Sequence, residues 1–520
     1  MTEATSGDAR LGRRAVVGML WSAGQRWAVR LTGFITMLIL TRTLSPEDFG
    51  TVAVAASLLP FMYLLADMGF STYVVQAQEA GPKTLATAFW FTAGAGLVLS
   101  GLLVAVAPIV AALFDTPDLA AVVCGLVPTV LFVTLSTVPM SLLRRRMEFR
   151  ALALQSVTAA VCGQVVAVAL ALTGFGVWAL IAQTAVNQFV ASVLAWLRAR
   201  WRPSWQFSVS EFRAMVVFGS KVVGVELIAA LRGFAENAII AAALGVSALG
   251  YLNVAQRFVQ LFQDVTAAAV IPVSTVVFAQ VRTDLDRLRS AYLRSLGLSY
   301  GFIVPAMVFL AVISPVLIPL LFGSQWQESV PPSQVLAVAG VLVLGAMLDH
   351  GLFYGAGRPG TWLIYAGVID GLTVAVAIFT APHGLVVWAL GFLVIAAVAT
   401  VTRWPLVGRV LRTSWSAPAA VFLRAMLAGI APACVGVGVA MLTREWNPIA
   451  TILATGAAVL IAHLGGMAIF MRRELREARA LVTTKTRPRR ARGPVGGPRS
   501  GDDEDNERSD GEGQRHDARG

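Results

Sequence analysis

Charged side chains recur inside stretches of this sequence that are otherwise apolar enough to cross a membrane, and these are the residues equipped for chemistry. Between residues 16 and 41, Arg26 and Arg30 lie four apart, on one face of a helix. Between 214 and 244 come Lys221, Glu226, Arg232 and Glu236, the last two again four apart. Between 248 and 278, Gln256, Gln260 and Asp264 follow at four-residue steps, with Arg257 and Gln263 beside them. A charged residue at the centre of a membrane helix costs roughly 2.5 to 3.5 kcal/mol, so each needs a partner or a watery path. A guanidinium keeps its charge at any physiological pH and forks onto phosphate oxygens. Arg26, Arg30, Lys221, Arg232, Arg257 and Gln260 are therefore candidates to line the path of a cargo bearing a pyrophosphate. Asp67, Glu226, Glu236, Asp264, Asp349 and Asp370 are candidates for coupling to an H+ or Na+ gradient, and no other cofactor is expected. The competing reading is plainer. Arg232 and Glu236 neutralise each other, Arg26 snorkels to the headgroups, and Asp67 and His350 sit near the interface.

The elements that must hold these residues follow from hydropathy. The chain has 520 residues, 57% of them hydrophobic and 13% charged, with mean hydropathy +0.72, which excludes a soluble domain. Apolar runs long enough to span a bilayer predict an all-α, polytopic membrane protein of about fourteen helices. Six fall near 16–41, 50–73, 85–113, 119–142, 151–173 and 176–197. Eight more fall near 214–244, 248–278, 291–322, 331–355, 360–380, 384–404, 419–442 and 447–471. The first run is too long for a signal peptide's apolar region and lacks a cleavage site, so it is expected to be retained.

The net charge of +12 is not a nucleic-acid footprint, because it sits in alternate short loops. Arg10, Arg13 and Arg14, then Lys83, then Arg144 to Arg146 with Arg150, then Arg198, Arg200, Arg202 and Arg213 mark one side. The series continues through Arg282, Arg287, Arg289, Arg294, Arg358, Arg403, Arg409 and Arg412, while the intervening loops hold only Arg42 and Arg444. Both termini are thus expected in the cytoplasm. Cys124, Cys162 and Cys434 stand singly in apolar runs and read as packing residues.

The sequence also echoes itself at an offset of 200. Leu31, Gly33, Phe34, Ile39, Leu44, Gly50, Val54 and Ala55 are matched by Leu231, Gly233, Phe234, Ile239, Leu244, Gly250, Val254 and Ala255. Val177-Trp178-Ala179-Leu180 returns as Val387-Trp388-Ala389-Leu390. Duplication predicts two parallel six-helix lobes with a path between them. The expected plan is a cytoplasmic N-terminus (1–15), an N-lobe (16–197), a cytoplasmic linker (198–213) and a C-lobe (214–404). Two appended helices (405–471) and a tail (472–520), too polar and Pro/Gly-rich to build a core, complete it.

Several motifs carry a family resemblance over about residues 12 to 410. They are Arg42-Thr43-Leu44-Ser45-Pro46-Glu47-Asp48-Phe49-Gly50, Asp67-Met68-Gly69 leading to Val75-Gln76, and Leu143-Arg144-Arg145-Arg146-Met147-Glu148-Phe149-Arg150. Gly176-Val177-Trp178-Ala179-Leu180, Ala248-Leu249-Gly250-Tyr251, and Leu321-Phe322-Gly323 with Gln325-Trp326 complete the set. In this order the chain resembles the bacterial polysaccharide flippases of the multidrug/oligosaccharidyl-lipid/polysaccharide (MOP) exporter superfamily, in the branch of colanic acid and teichuronic acid exporters. Val277-Phe278-Ala279-Gln280 departs from that family, which has a proline and serine there. The resemblance implies a MATE-like pair of lobes in the inner membrane and a cargo of polyprenyl-diphosphate-linked oligosaccharide flipped by alternating access. It further implies contact with membrane lipids and with polysaccharide polymerase or export machinery. The other reading is a multidrug or ion antiporter of the same superfamily, whose cavity acidic residues and aromatics would dominate. An enzyme is not expected, since no HExxH, GxSxG, Walker-type loop or nucleotide fingerprint occurs.

Overall fold

The computed structural model describes residues 24–25, 27–77, 80–280 and 284–476, and these are helical throughout, with no strand. Chain order gives α1 (27–43), α2 (Pro46–Ser57), α3 (Leu59–Asp67), α4 (Phe70–Gln76), α5 (Pro82–Leu113), α6 (Asp118–Gly125), α7 (Val127–Arg145), α8 (Phe149–Leu172) and α9 (Trp178–Ala199). Then come α10 (Val209–Leu244), α11 (Val246–Gln280), α12 (Leu285–Phe322), a 3-10 turn (Ser324–Ser329), α13 (Val330–Gly355), α14 (Pro359–Thr380), α15 (Leu385–Leu411), α16 (Ser416–Leu442) and α17 (Pro448–Phe470). Among the described residues, twelve segments are long and apolar enough to cross a membrane. The other two predicted spans fall on α1, whose N-terminal continuation lies outside the described residues, and on the 35-residue α11. The predicted tail lies almost wholly outside them.

Two predicted helices are broken, each at a proline. Residues 50–73 divide because Pro60 sits in the first turn of α3, and the chain then turns through Met68 (φ 44°) and Gly69 (φ 76°) into α4. Residues 119–142 divide at Leu126, before Pro128 in the first turn of α7. Proline lacks the N–H that would continue the ladder, so a new helix begins there instead.

The 42–50 motif has a local explanation. Ser45 caps α2: its Oγ accepts from the Asp48 N–H at 3.1 Å, and an Asp48 carboxylate oxygen accepts from the Ser45 N–H at 2.9 Å. Pro46 takes the first helical position, where its missing donor costs nothing. Gly50, one turn on, is where α2 crosses α11. A Cβ on Gly50 would lie 1.7 Å from the Val246 carbonyl oxygen, and one on Gly250 would lie 1.9 Å from the Pro46 carbonyl oxygen. Pro46 and Val246 are themselves 200 apart. The contact therefore obeys a two-fold relation in which each copy of the repeat presents the same surface to the other.

α10 does not keep to one half of the molecule. Its first turns pack Met215, with Phe212 and Val216, among Phe70, Leu85, Phe89 and Leu142 of the preceding helices. There a Cβ on Gly219 would meet the Met68 carbonyl oxygen at 1.8 Å, and Thr84 Oγ1 donates to Glu211 Oε2 at 3.0 Å. Further along, α10 lies against α14. The last two helices, α16 and α17, pack together and against α12, where His463 Nε2 stands 3.0 Å from the Gly301 carbonyl oxygen.

Helices α12, α13 and α15 are joined by a sealed polar cluster. Arg403 Nε lies 2.9 Å from Asp349 Oδ2, Tyr292 Oη donates to Asp349 Oδ1, and Arg403 Nη2 also donates to the Leu342 carbonyl oxygen at 3.2 Å. Asp349 and Arg403 are 3% and 5% exposed, so neither can turn to water if the other is lost.

Two outcomes are expected. Gly50→Val should force α2 off α11. In a background lacking the native cysteines, a cysteine placed at Ser247 should then react several-fold faster with a membrane-impermeant thiol reagent. Asp349→Ala strands a buried guanidinium and should lower stability by about 3–5 kcal/mol, read from thermal unfolding in detergent.

Candidate functional site

The interior-facing polar surface begins where α1 meets α11. Arg30 Nη2 lies 3.1 Å from Asp264 Oδ1, and Arg30 Nη1 donates to the Asp264 carbonyl oxygen at 3.4 Å. The two side chains keep 30% and 28% exposure, in contrast to the sealed Asp349–Arg403 pair. Arg257, Gln260 and Asp264 stand at i, i+3 and i+7 on α11, hence on one face, and that face is the one meeting α1. Arg257 and Gln260 are exposed, and among the described residues Arg257 has no carboxylate partner. At 1.5 Å per residue it lies about 10 Å along α11 from Asp264. The result is a guanidinium with no carboxylate partner among the described residues, next to a second one whose carboxylate partner is partly exposed.

On α10, Arg232 serves two carboxylates. Its Nη1 lies 3.3 Å from Glu236 Oε1, the i+4 partner visible in the sequence, and its Nε lies 3.2 Å from Asp370 Oδ1 on α14. Glu236 is buried, so the trio carries one more negative than positive charge in a confined place. Arg26 and the side chain of Lys221 lie outside the described residues.

Asp67 and Glu226 come together in a different place. Both line a cavity of about 370 Å³ walled by α3, α4, α7, α8, α9 and α10, with Tyr63, Arg144 and Gln155. Asp67 accepts from the Ser71 N–H at 3.0 Å and from its hydroxyl at 2.7 Å. Asp349 is away from any such space, inside the sealed cluster.

The residues that tie the ends of the molecule were not singled out as chemistry in the sequence. Arg42 Nη2 donates to the Leu320 carbonyl oxygen at 2.7 Å and its Nε to that of Leu321 at 3.2 Å, at the end of α12. Gln325 Nε2 donates to the Leu44 carbonyl oxygen at 3.1 Å and Trp326 Nε1 to that of Thr41 at 2.7 Å. The Trp326 ring meets Phe49 edge-on, 5.2 Å between centroids. Three motifs distant in sequence thus meet around the Gly50–Gly250 crossing. The signal was there in Arg42, one of two basic residues that break the charge alternation. At the other end, Arg145 Nη1 donates to the Val74 and Ala77 carbonyl oxygens at 2.9 and 2.7 Å, and Arg146 Nη1 to that of Ala199 at 2.9 Å. These two arginines cap helix C-termini, where a cation meets the unpaired carbonyls.

Comparison with known proteins agrees with this geometry. The succinoglycan biosynthesis transport protein ExoT of Rhizobium meliloti (strain 1021) is 31% identical over 323 residues, covering 61% of this chain and 65% of that protein, just under two thirds of its length. The teichuronic acid biosynthesis protein TuaB of Bacillus subtilis (strain 168) is 21% identical over 441 residues, 84% of this chain and 91% of that one. Among solved structures, the lipid II flippase MurJ in an inward closed conformation matches with TM-score 0.70 at 15% identity, over 87% of this chain and 99% of that chain. An inward-facing multidrug resistance MATE transporter of the MOP superfamily matches at 0.60 and 16% identity, over 75% and 99%. At such identities the likeness is one of fold, and it is the all-helical MOP fold expected from the sequence. The pattern of the polysaccharide biosynthesis protein family matches residues 39–331, more than half of the chain, and the chain belongs to that family.

Proposed function

We propose that this membrane protein flips polyprenyl-diphosphate-linked oligosaccharide units across the cytoplasmic membrane by alternating access, with both termini in the cytoplasm. The observation that carries the reading is the Arg30–Asp264 pair. It bridges the two halves of the chain, is partly exposed, and lies on the same face as Arg257, which has no carboxylate partner among the described residues. A diphosphate carries more charge than a carboxylate and accepts a bidentate guanidinium, so it competes with Asp264 for Arg30. Displacing Asp264 removes the tie between α1 and α11 while leaving the cargo's charge neutralised. The lipid tail stays in hydrocarbon and only the polar head needs the protein.

The closure around Gly50 and Gly250 is suited to opening and re-forming. It relies on bonds from Arg42, Gln325 and Trp326 to backbone carbonyls, and water can replace each of them. The names of the relatives support a transport role, and the charge pattern supports the orientation. The Arg232–Glu236–Asp370 trio is the site we assign to gradient coupling, since its surplus negative charge is offset by binding H+ or Na+. A multidrug antiporter has no comparable use for a free guanidinium on the interior face.

Arg30→Ala should reduce flipping of a labelled lipid-diphosphate oligosaccharide in proteoliposomes by about 10- to 100-fold, the loss of one charge-assisted bond of roughly 1.5–3 kcal/mol. Asp264→Asn should lower KM and kcat together, because Arg30 then holds the diphosphate without a competitor. Unchanged transport in both variants sinks the reading. Asp370→Asn should leave flipping measurable but insensitive to an imposed H+ or Na+ gradient, and retained sensitivity would count against the coupling assignment.

A further inference from the structure

The 370 Å³ cavity that holds Asp67 and Glu226 is not needed for holding a diphosphate, and its chemistry is of another kind. Its α7 wall is rich in hydroxyls, but those hydroxyls spend their protons on their own helix. Thr134 donates to the Leu131 carbonyl oxygen at 3.1 Å, Ser136 and Thr137 to that of Val133 at 3.0 and 3.2 Å, and Ser141 to that of Thr137 at 2.8 Å. What such side chains turn outward is lone pairs. Asp67 and Glu226 add two carboxylates to the same wall.

Gln155 sits behind the same wall, 3% exposed, with its Nε2 donating to the Ala191 carbonyl oxygen at 2.6 Å. Arg144 is the one cation in the lining.

The occupant must therefore be rich in donors. A phosphate is disfavoured, because two carboxylates outnumber the single cation, Arg144, in the lining. A bare cation satisfies the charge but not the space. The cavity lies in the range of small-molecule sites, roughly 300–1,000 Å³, and is about 25 to 37 times the roughly 10–15 Å³ needed to seat one water. A sugar meets both demands, since each hydroxyl donates to a lone pair and the ring offers Tyr63 an apolar face.

We infer that this cavity is a glycan subsite, in which Asp67, Glu226 and the α7 hydroxyls accept hydrogen bonds from hydroxyl groups of the cargo's sugars. The inference rests on the flippase reading and assigns its two chemical halves to separate places: the diphosphate to Arg30 and Arg257, the sugars to the cavity. It also moves Asp67 and Glu226 from ion coupling to cargo recognition.

The test is binding to the full chain in nanodiscs of two probes. One is the lipid-linked oligosaccharide extracted from the cells that make this protein; the other is the same polyprenyl diphosphate stripped of sugar. Asp67→Asn and Glu226→Gln should each weaken binding of the glycosylated lipid about tenfold and leave the sugar-free lipid within twofold. Glu226 is exposed, so its variant reports even where Asp67→Asn does not fold. Equal weakening of both probes, or of neither, overturns the subsite. So does loss of Na+ or H+ dependence with glycan affinity intact, which makes the cavity a cation site. Arg30→Ala separates the two layers of the argument, because it should weaken both probes alike; if the parent protein binds neither, the flippase reading itself fails along with the subsite.

Discussion

A guanidinium set among apolar helices has no water to fall back on, and most of the polar architecture of this chain is an answer to that constraint. Three answers are visible. Arg403 is buried against Asp349 and Tyr292 and serves to hold α12, α13 and α15 together. Arg145 and Arg146 reach carbonyls at helix ends and serve as caps. Arg30 alone among these three solutions is paired across the repeat in a place that water can enter. The two pairs differ in exposure: the sealed one cannot exchange partners, and the partly exposed one can.

The second constraint lies where α2 crosses α11. Backbone meets backbone at Gly50 and Gly250, and around that crossing Phe49, Val54, Leu249, Leu252 and Trp326 are buried in one continuous apolar core, so parting this contact uncovers side-chain surface as well as backbone. The bonds around it end on carbonyl oxygens of Thr41, Leu44, Leu320 and Leu321, acceptors that stay competent in either state. α10 also connects the halves. Its first turns are committed to the aromatic cluster around Phe70 and Phe89 and its later turns to α14, so any rearrangement of the halves must bend it or turn it between them.

Much of this was legible in the sequence because hydropathy and charge are local properties. The helices lie close to where apolar runs place them, and the offset of 200 found Gly50 and Gly250 before any contact was known. Breaks at Pro60 and Pro128 were not legible from residue type alone, since Pro108, Pro139, Pro305 and Pro432 lie inside helices that continue past them. Nor were the pairings. Glu236 is found from Arg232 by helical spacing, but Asp370 and Asp264 lie too far from their partners in sequence for spacing to point at them. The same holds for Asp349, an acidic residue in an apolar run whose role depends on whether Arg403, 54 positions later, is turned toward it. Arg42 shows the limit most plainly: as a loop residue it was an exception to a topological rule, and only the fold turns the exception into a closure.

The cargo implied by this arrangement is divided in its chemistry, and the protein is divided to match. A diphosphate offers only acceptors and negative charge; a sugar hydroxyl both donates and accepts. One site cannot serve both, because the carboxylates that hold sugar hydroxyls repel phosphate and the guanidinia that hold phosphate gain little from hydroxyls. Placing acceptors in the cavity beside α7 and cations on the α1–α11 face makes a cargo with both parts better held than either part alone. Discrimination then needs no tight site, since two moderate sites linked by the cargo's own covalent frame act at high effective concentration on each other. Such a device also releases well. Once opening carries the two faces apart, the linkage fails for geometric reasons and each part is left with only its own weak hold.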